Sequence, residues 1–274
     1  MSTIETRGSY ANVNGLKMYY EVHGQGKPLL LLPGAVSGVS TAFGNLIPLL
    51  ATGRQVIALE FQGYGHTVDI PERPLSYEQF ADDVIELLHV LNIREADIFG
   101  YSTGAGVALQ IAMRKPALVS KLILASVTFN SSGRHPELIG LEALLTTEGM
   151  KGTPYEAEYL NTAPQPQDWS QHLAKVTVFN KEIQEWSVDD IRKIKAPALI
   201  IAGDADIVRL EHVVELYKLL GGGSIGELSM PASQLAILPG TMHTALTKKT
   251  NLLMAMIPGF LELNTTHSKP LQPC

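Results

Sequence analysis

Short, continuous apolar runs alternate along the chain with longer stretches in which apolar residues recur every three or four positions. The runs at 28–32, 55–61, 96–99, 121–126, 197–202 and 235–238 have the length and character of strands buried on both faces of a parallel sheet. Between them, Phe80, Val84, Leu87, Leu88 and Leu91 form one helical stripe, with Asp82, Asp83 and Glu86 on a solvated face away from it. Val213, Val214, Tyr217 and Leu220 form a second stripe. The last helix, 251–263, is apolar nearly all round and is expected to be well buried. Near the N-terminus, strand-like runs at 10–13 and 16–22 flank Asn14-Gly15, the dipeptide that a type I′ hairpin turn requires.

Strands alternating with helices through right-handed crossovers predict an α/β fold, a mostly parallel sheet with helices on both faces. The rhythm breaks at 129–195, where Pro- and Ser-rich pieces alternate with short helical runs at 138–145, 155–160 and 169–185. The expected organisation is a core of 1–128 and 196–264, an insertion at 129–195 and a polar tail at 265–274. No internal repeat is found.

At 274 residues with 45 % hydrophobic content, the chain fits one large domain with a sizeable core. A net charge of −6 supplies no basic field for nucleic acid or an anionic membrane surface. The single cysteine, Cys274, allows no intrachain disulfide. Residues 1–8 are polar and lack a signal-peptide core, and no apolar run approaches the roughly 20 residues of a membrane span. These features lead us to expect a cytoplasmic protein with a small-molecule substrate, neither nucleic acid nor membrane as partner, and a homodimer left open. No H-E-x-x-H, paired cysteines or Walker sequence occurs, so neither metal nor other cofactor is expected.

The candidate chemistry centres on 96–107. An apolar strand runs into Gly100-Tyr101-Ser102-Thr103-Gly104, and a helical run follows at once. G-x-S-x-G in the order strand, turn, helix is a nucleophile elbow. The tight turn holds its central residue in a strained conformation, so flanking positions must lack Cβ, and Gly106 is expected to let the helix approach the sheet. Gly and Ser are also ordinary turn residues. A dinucleotide fingerprint opening at Gly104-Ala105-Gly106 fails, because Leu109 fills the third small position and the next strand ends without an acidic residue.

On these motifs the chain resembles the α/β-hydrolase-fold serine hydrolases. The resemblance implies the α/β-hydrolase fold, with the insertion as a helical lid. It also implies a nucleophile, acid and histidine in that chain order, each after a strand. Ser102, Asp206 in Gly203-Asp204-Ala205-Asp206, and His243 after Pro239-Gly240 fit that order. Asp206 stands at the fourth position of the G-x-x-D turn, where similar enzymes carry the acid. Asp204 is better placed to bond nearby backbone N–H groups. Of the eight histidines, His89 and His212 are read on polar helix faces and His267 in the tail. His23, His66 and His135 all precede the acid loop. Some relatives place the acid one strand earlier, but 126–130 carries no carboxylate.

The backbone N–H groups of Ala35 and Thr103 would form the oxyanion hole, with Pro33 standing where the family usually has histidine. Glu60 begins a run similar to the family's D-x-x-G-x-G turn. Tyr155, Tyr159, Trp169, Phe179 and Trp186 are either substrate walls or lid core. The expected activity is hydrolysis of a small or medium carboxylic ester or lactone by the Ser-Asp-His triad. Carbon–carbon bond hydrolysis of a diketone-like acid is the alternative, with Arg134 or Arg209 for the acid group. A triad-retaining ligand receptor with little turnover is a third reading.

Overall fold

The computed structural model describes residues 8–138, 145–225 and 230–263. Eight strands form one sheet in the order β1-β2-β4-β3-β5-β6-β7-β8. These are β1 (Ser9–Val13), β2 (Leu16–His23), β3 (Pro28–Leu32), β4 (Gln55–Leu59), β5 (Ala96–Tyr101), β6 (Val119–Ala125), β7 (Ala198–Ala205) and β8 (Gln234–Met242). The β1–β2 hairpin and the β2–β4 pair are antiparallel, and every later pairing is parallel. Asn14 and Gly15 both take positive φ, 48° and 81°, as the hairpin turn demands.

The helices are α1 (Val39–Phe43), α2 (Ile47–Leu50), α3 (Tyr77–Val90), α4 (Thr103–Arg114), α5 (Pro154–Thr162), α6 (Trp169–Lys181), α7 (Val188–Arg192), α8 (Leu210–Leu219) and α9 (Thr250–Glu262). Period-two alternation divides the parallel strands between two cores. In β3, Leu30 and Leu32 join the layer with α3, α4 and α8, whereas Leu29 and Leu31 join the layer with α1, α2 and α9. All four leucines are fully buried, each contributing about 1.5–3 kcal/mol relative to exposure.

Several local expectations change on folding. The α9 helix buries only Leu253, Ile257, Phe260 and Leu261, and Leu252 is exposed. A helix laid on the outside of the sheet has one solvent side whatever its composition. Its C-terminal carbonyls are capped by the buried Lys121 ammonium, which donates to Phe260 at 3.1 Å, Leu261 at 2.6 Å and Leu263 at 2.6 Å. Asp83 is not on a solvated face: it is fully buried, paired with Arg73 at 2.8 Å and accepting from Asn14 at 3.0 Å. That pair ties the hairpin turn to α3. His212 is also buried rather than on a polar face. Its Nε2 accepts the Phe129 N–H at 3.1 Å, and its ring stacks on Phe129.

The insertion between β6 and β7 contributes α5, α6 and α7. Thr153 caps α5 by accepting the Glu156 N–H. Within it, Met150, Tyr159, Trp169 and Leu173 pack together against Val36 of the core. Glu158 of α5 reaches across to α1, where it accepts the N–H groups of Gly38 at 2.8 Å, Ser40 at 2.8 Å and Thr41 at 3.0 Å, and the Thr41 hydroxyl. This carboxylate, with Glu60 accepting the Val39 N–H, satisfies the first turn of α1, whose donors have no helical acceptor of their own. Most of the expected helix at 138–145, the tail at 265–274 and the N-terminal 1–7 lie outside the described residues.

Candidate active site

The elbow is a steric necessity. Ser102 sits at φ 54°, ψ −118° between β5 and α4. A Cβ on Gly100 would stand 2.3 Å from the Gly104 carbonyl oxygen, and one on Gly104 would stand 2.0 Å from that of Leu32. Neither position has room for any side chain. Gly106 is small for a different reason than expected: a Cβ there would meet the Tyr77 ring of α3, not the sheet.

The turn aims Ser102 at two other strand ends. Ser102 Oγ lies 3.0 Å from His243 Nε2, and His243 Nδ1 lies 2.9 Å from Asp206 Oδ1. Asp206 also accepts the N–H groups of Ile207 at 2.7 Å and Gly203 at 3.2 Å. Burial alone would push its carboxyl up, but the bonds from His243, Ser126 and Gly203 outweigh burial and hold it below the ordinary carboxylate value. An ionised, buried carboxylate can orient imidazole and stabilise its cation.

Asp204 does the other job expected of this loop. Its carboxylate accepts Gly240 N–H and Thr241 N–H, both at 3.0 Å, and those bonds hold it below its ordinary value. The structure shows why they are needed. Leu238 pairs with Gly203 and Met242 with Ala205, so β8 carries two extra residues there. The Pro239-Gly240 turn is thus a bulge within a longer strand, with Gly240 at φ 55°. Asp204 fills the bulge, and His243 follows it.

The loop after β3 lies against the elbow. A Cβ on Gly34 would be 3.3 Å from that of Ser102, and Val36 takes φ 56°. Ala35 is half-buried beside the serine, while Thr103 is the first residue of α4, so its N–H has no acceptor within the helix. Pro33 leaves both N–H groups in place.

The five aromatic candidates of the insertion separate, Tyr159 being buried in it. Trp169 and Phe179 are almost wholly buried, Trp169 among Tyr159 and His172, Phe179 against Tyr77 and Phe80. Trp186 is partly buried, edge-on to Tyr77. Tyr155 is half-buried, close enough to Tyr101 to influence its titration, and Tyr101 in turn tilts over His243 with ring centroids 5.3 Å apart. Tyr77 has its hydroxyl toward Thr103 and Gln184; burial pushes it up to about 12 against the pull of the Arg134 charge.

Sequence reasoning missed two participants and the partners of a third. Tyr101 donates to the His243 carbonyl at 2.9 Å. Ser126 touches both Asp206 and His243. Glu60 is buried and accepts the N–H groups of Val39 at 3.2 Å and His66 at 2.5 Å, so it ties the glycine turn to α1. The resemblance to the D-x-x-G-x-G turn marked Glu60 but not its partners; no pattern marked the others. Among the described residues, no group of three or more His, Cys, Asp or Glu could hold a metal ion. No helix among them is long and apolar enough to cross a membrane.

Residues 29–247 match the family model described as the alpha/beta hydrolase family. The chain belongs to the alpha/beta hydrolase family. The human serine hydrolase BPHL is 32 % identical over 245 residues, spanning 78 % of this alpha/beta hydrolase and 75 % of BPHL. The 2-hydroxymuconate semialdehyde hydrolase of Pseudomonas sp. (strain CF600) is 34 % identical over 121 residues, but that match spans only 42 % of either chain. Among solved structures, the enol-lactonase from Burkholderia xenovorans LB400 superposes with a TM-score of 0.73 at 20 % identity, covering 93 % of this hydrolase and 100 % of that chain. The meta-cleavage product hydrolase CumD of Pseudomonas fluorescens IP01 gives 0.71 at 20 % identity, covering 93 % and 97 %. Both likenesses show the alpha/beta-hydrolase fold.

Proposed function

We propose that the protein is a serine hydrolase that cleaves a small or medium carboxylic ester or lactone through an acyl-enzyme on Ser102. The observation that carries this reading is the continuous contact from Ser102 Oγ to His243 Nε2 and from His243 Nδ1 to Asp206. A serine hydroxyl is a weak nucleophile unless a base takes its proton during attack. In the proposed reaction Oγ attacks the carbonyl carbon as its proton passes to Nε2. The Ala35 and Thr103 N–H groups donate to the oxyanion. Collapse breaks the bond to the leaving oxygen, which takes the proton from Nε2, and the acyl group stays on Ser102. Water then attacks, again giving its proton to Nε2. Return of that proton to Oγ releases the carboxylic acid. The partner in this reading is the small-molecule substrate, with Tyr155 and Trp186 as its walls and a cytoplasmic site of action.

A second reading, carbon–carbon bond hydrolysis of a diketone-like acid, draws on the partial similarity to 2-hydroxymuconate semialdehyde hydrolase. It draws also on the Arg134 charge felt at Tyr77, whose hydroxyl faces Thr103 beside the nucleophile. Assaying the purified protein against p-nitrophenyl esters, lactones and diketone acids separates the two. Ser102→Ala should abolish turnover on whichever class is cleaved while far-ultraviolet circular dichroism is unchanged. Retention of most of the parental rate would overturn the serine mechanism. Tight binding without turnover by the parent would favour the receptor reading.

A further inference from the structure

Ser126 stands where β6 ends, beside the end of β7 that carries Asp206. Its N–H extends the sheet by donating to the Ile201 carbonyl at 2.8 Å. It takes φ 54°, in the left-handed region that a residue with a side chain rarely occupies, and it is almost wholly buried. A glycine would meet that backbone demand with less strain. The side chain therefore calls for its own explanation.

Its Oγ lies 2.7 Å from Asp206 Oδ1 and 2.6 Å from His243 Nδ1. A hydroxyl has one hydrogen and two lone pairs, whereas an ionised carboxylate can only accept. With the Ser126 hydrogen directed to Asp206, the oxygen is left to accept, and the atom facing it is Nδ1. A proton on Nδ1 is then shared between Asp206 Oδ1 and Ser126 Oγ. The opposite tautomer would set two acceptors, Oδ1 and Nδ1, against each other at 2.9 Å. Nε2 is left unprotonated toward Ser102.

We infer that Ser126 is a positioning residue: its hydroxyl bridges Asp206 and His243 Nδ1 and locks the imidazole in the tautomer and ring orientation that present Nε2 to Ser102. The inference rests on the serine-hydrolase reading above. Ser126 acts through His243, not on substrate. Among the described residues, the charged and titratable groups facing this ring are Asp206 from the end of β7 and Tyr101 from β5, with Tyr155 of α5 acting on Tyr101. Asp204 lies in the same loop but is engaged by Gly240 and Thr241. Ser126 completes the set from β6, so three adjacent strand ends, those of β5, β6 and β7, constrain one imidazole.

The test uses Ser126→Gly and Ser126→Ala in the full chain. The glycine variant relieves the positive φ while deleting the hydroxyl, so its melting temperature should stay above that of Ser126→Ala. Its kcat should nevertheless fall about tenfold with KM unchanged, the loss expected of one charge-assisted hydrogen bond made at a catalytic histidine. The downfield proton resonance of Nδ1–H should move or broaden by exchange with solvent, a signature that needs no substrate. The alanine variant should show the same kinetic and spectral changes with a lower melting temperature. Parental kcat and an unmoved resonance in Ser126→Gly would overturn the inference. Ser102→Ala distinguishes the two failures. If Ser102→Ala is inert while Ser126→Gly is parental, only the role of Ser126 falls; if Ser102→Ala stays active, the serine mechanism falls first.

Discussion

The Tyr101 hydroxyl donates to the His243 carbonyl at 2.9 Å, so the residue before the elbow serine holds the backbone of the histidine that faces it. Tyr101 is buried, and its ring tilts over the imidazole. Removing the hydroxyl leaves the carbonyl without that donor, at a cost of about 1 kcal/mol. Tyr101→Phe should therefore lower kcat several-fold with little change in KM. Steady-state kinetics beside a thermal melt checks this, and an unchanged kcat would show that the loop is held by other contacts.

Asp206 and Asp204 should separate cleanly. Asp206→Asn keeps the shape of the side chain but mis-sets the His243 tautomer, and turnover should fall by about 10⁴. Asp204→Asn weakens the filling of the β8 bulge, so its melting temperature should drop while turnover changes by less than about tenfold. Both variants in one assay decide the matter. A dead Asp204→Asn beside an active Asp206→Asn would reverse the assignment.

Two buried histidines predict an acid-labile fold. Burial pushes both His172 and His212 from the ordinary 6.5 down to about 4. Each binds a proton more readily unfolded than folded, so stability rises with pH across this interval. Their contribution is complete above about pH 6.5 and is lost as pH falls toward about 4. Melting temperatures measured from pH 7 to pH 4 should fall, and His172→Leu should flatten part of that slope. His172 Nε2 has no hydrogen-bond partner among the described residues, so the substitution removes a buried polar atom that is not satisfied. A slope identical to the parent's would show that other groups control the acid limb.

The aromatic residues of the insertion should divide by burial. Trp169→Ala removes a ring packed on Tyr159 and His172 and should destabilise by about 3–5 kcal/mol. Tyr155→Ala should leave stability nearly unchanged and instead alter the preference among acyl chain lengths, since in the proposed reading Tyr155 is a wall for the remote part of the substrate. Chemical denaturation and a chain-length series measure the two effects. Equal kinetic losses on every chain length would make Tyr155 structural.

Chelation should leave the activity intact. Prolonged dialysis against a strong chelator followed by assay is sufficient, and activity recovered only after addition of zinc or manganese would contradict the proposed mechanism.

Local steric demands were legible in the sequence, whereas contacts across elements were not. Gly100 and Gly104 could be read as a pair from the tightness of the strand-turn-helix motif, although only the space at Gly100 is closed within the elbow, by Gly104 and Ala105; that at Gly104 is closed by Leu32 and Pro33 at the end of β3. Asp206 was set apart from Asp204 only by the resemblance, which puts the acid at the fourth position of the G-x-x-D turn. Asp83 and His212 were misplaced because a helical stripe describes one helix alone. Their partners, Arg73 with Asn14 and the Phe129 N–H, come from loops that the periodicity of α3 or α8 cannot register. The α9 helix shows the converse limit, since an apolar composition does not reveal which side meets the sheet. Ser126 carried no motif: a hydroxyl at a strand end acquires meaning only when β7 and β8 bring Asp206 and His243 to it.

The Glu158 carboxylate has a consequence for engineering. It belongs to α5, yet it closes the first turn of α1, only a few residues after Ala35. Grafting a foreign insertion onto this core would leave the backbone N–H groups of Gly38, Ser40 and Thr41 open unless the donor segment brought an acidic residue to the same point. A chimaera made without one would change more than substrate choice, because it would loosen the chain segment that carries Ala35. The insertion is therefore not a freely exchangeable module: any transplant has to preserve this one anchoring carboxylate or supply new acceptors for the first turn of α1.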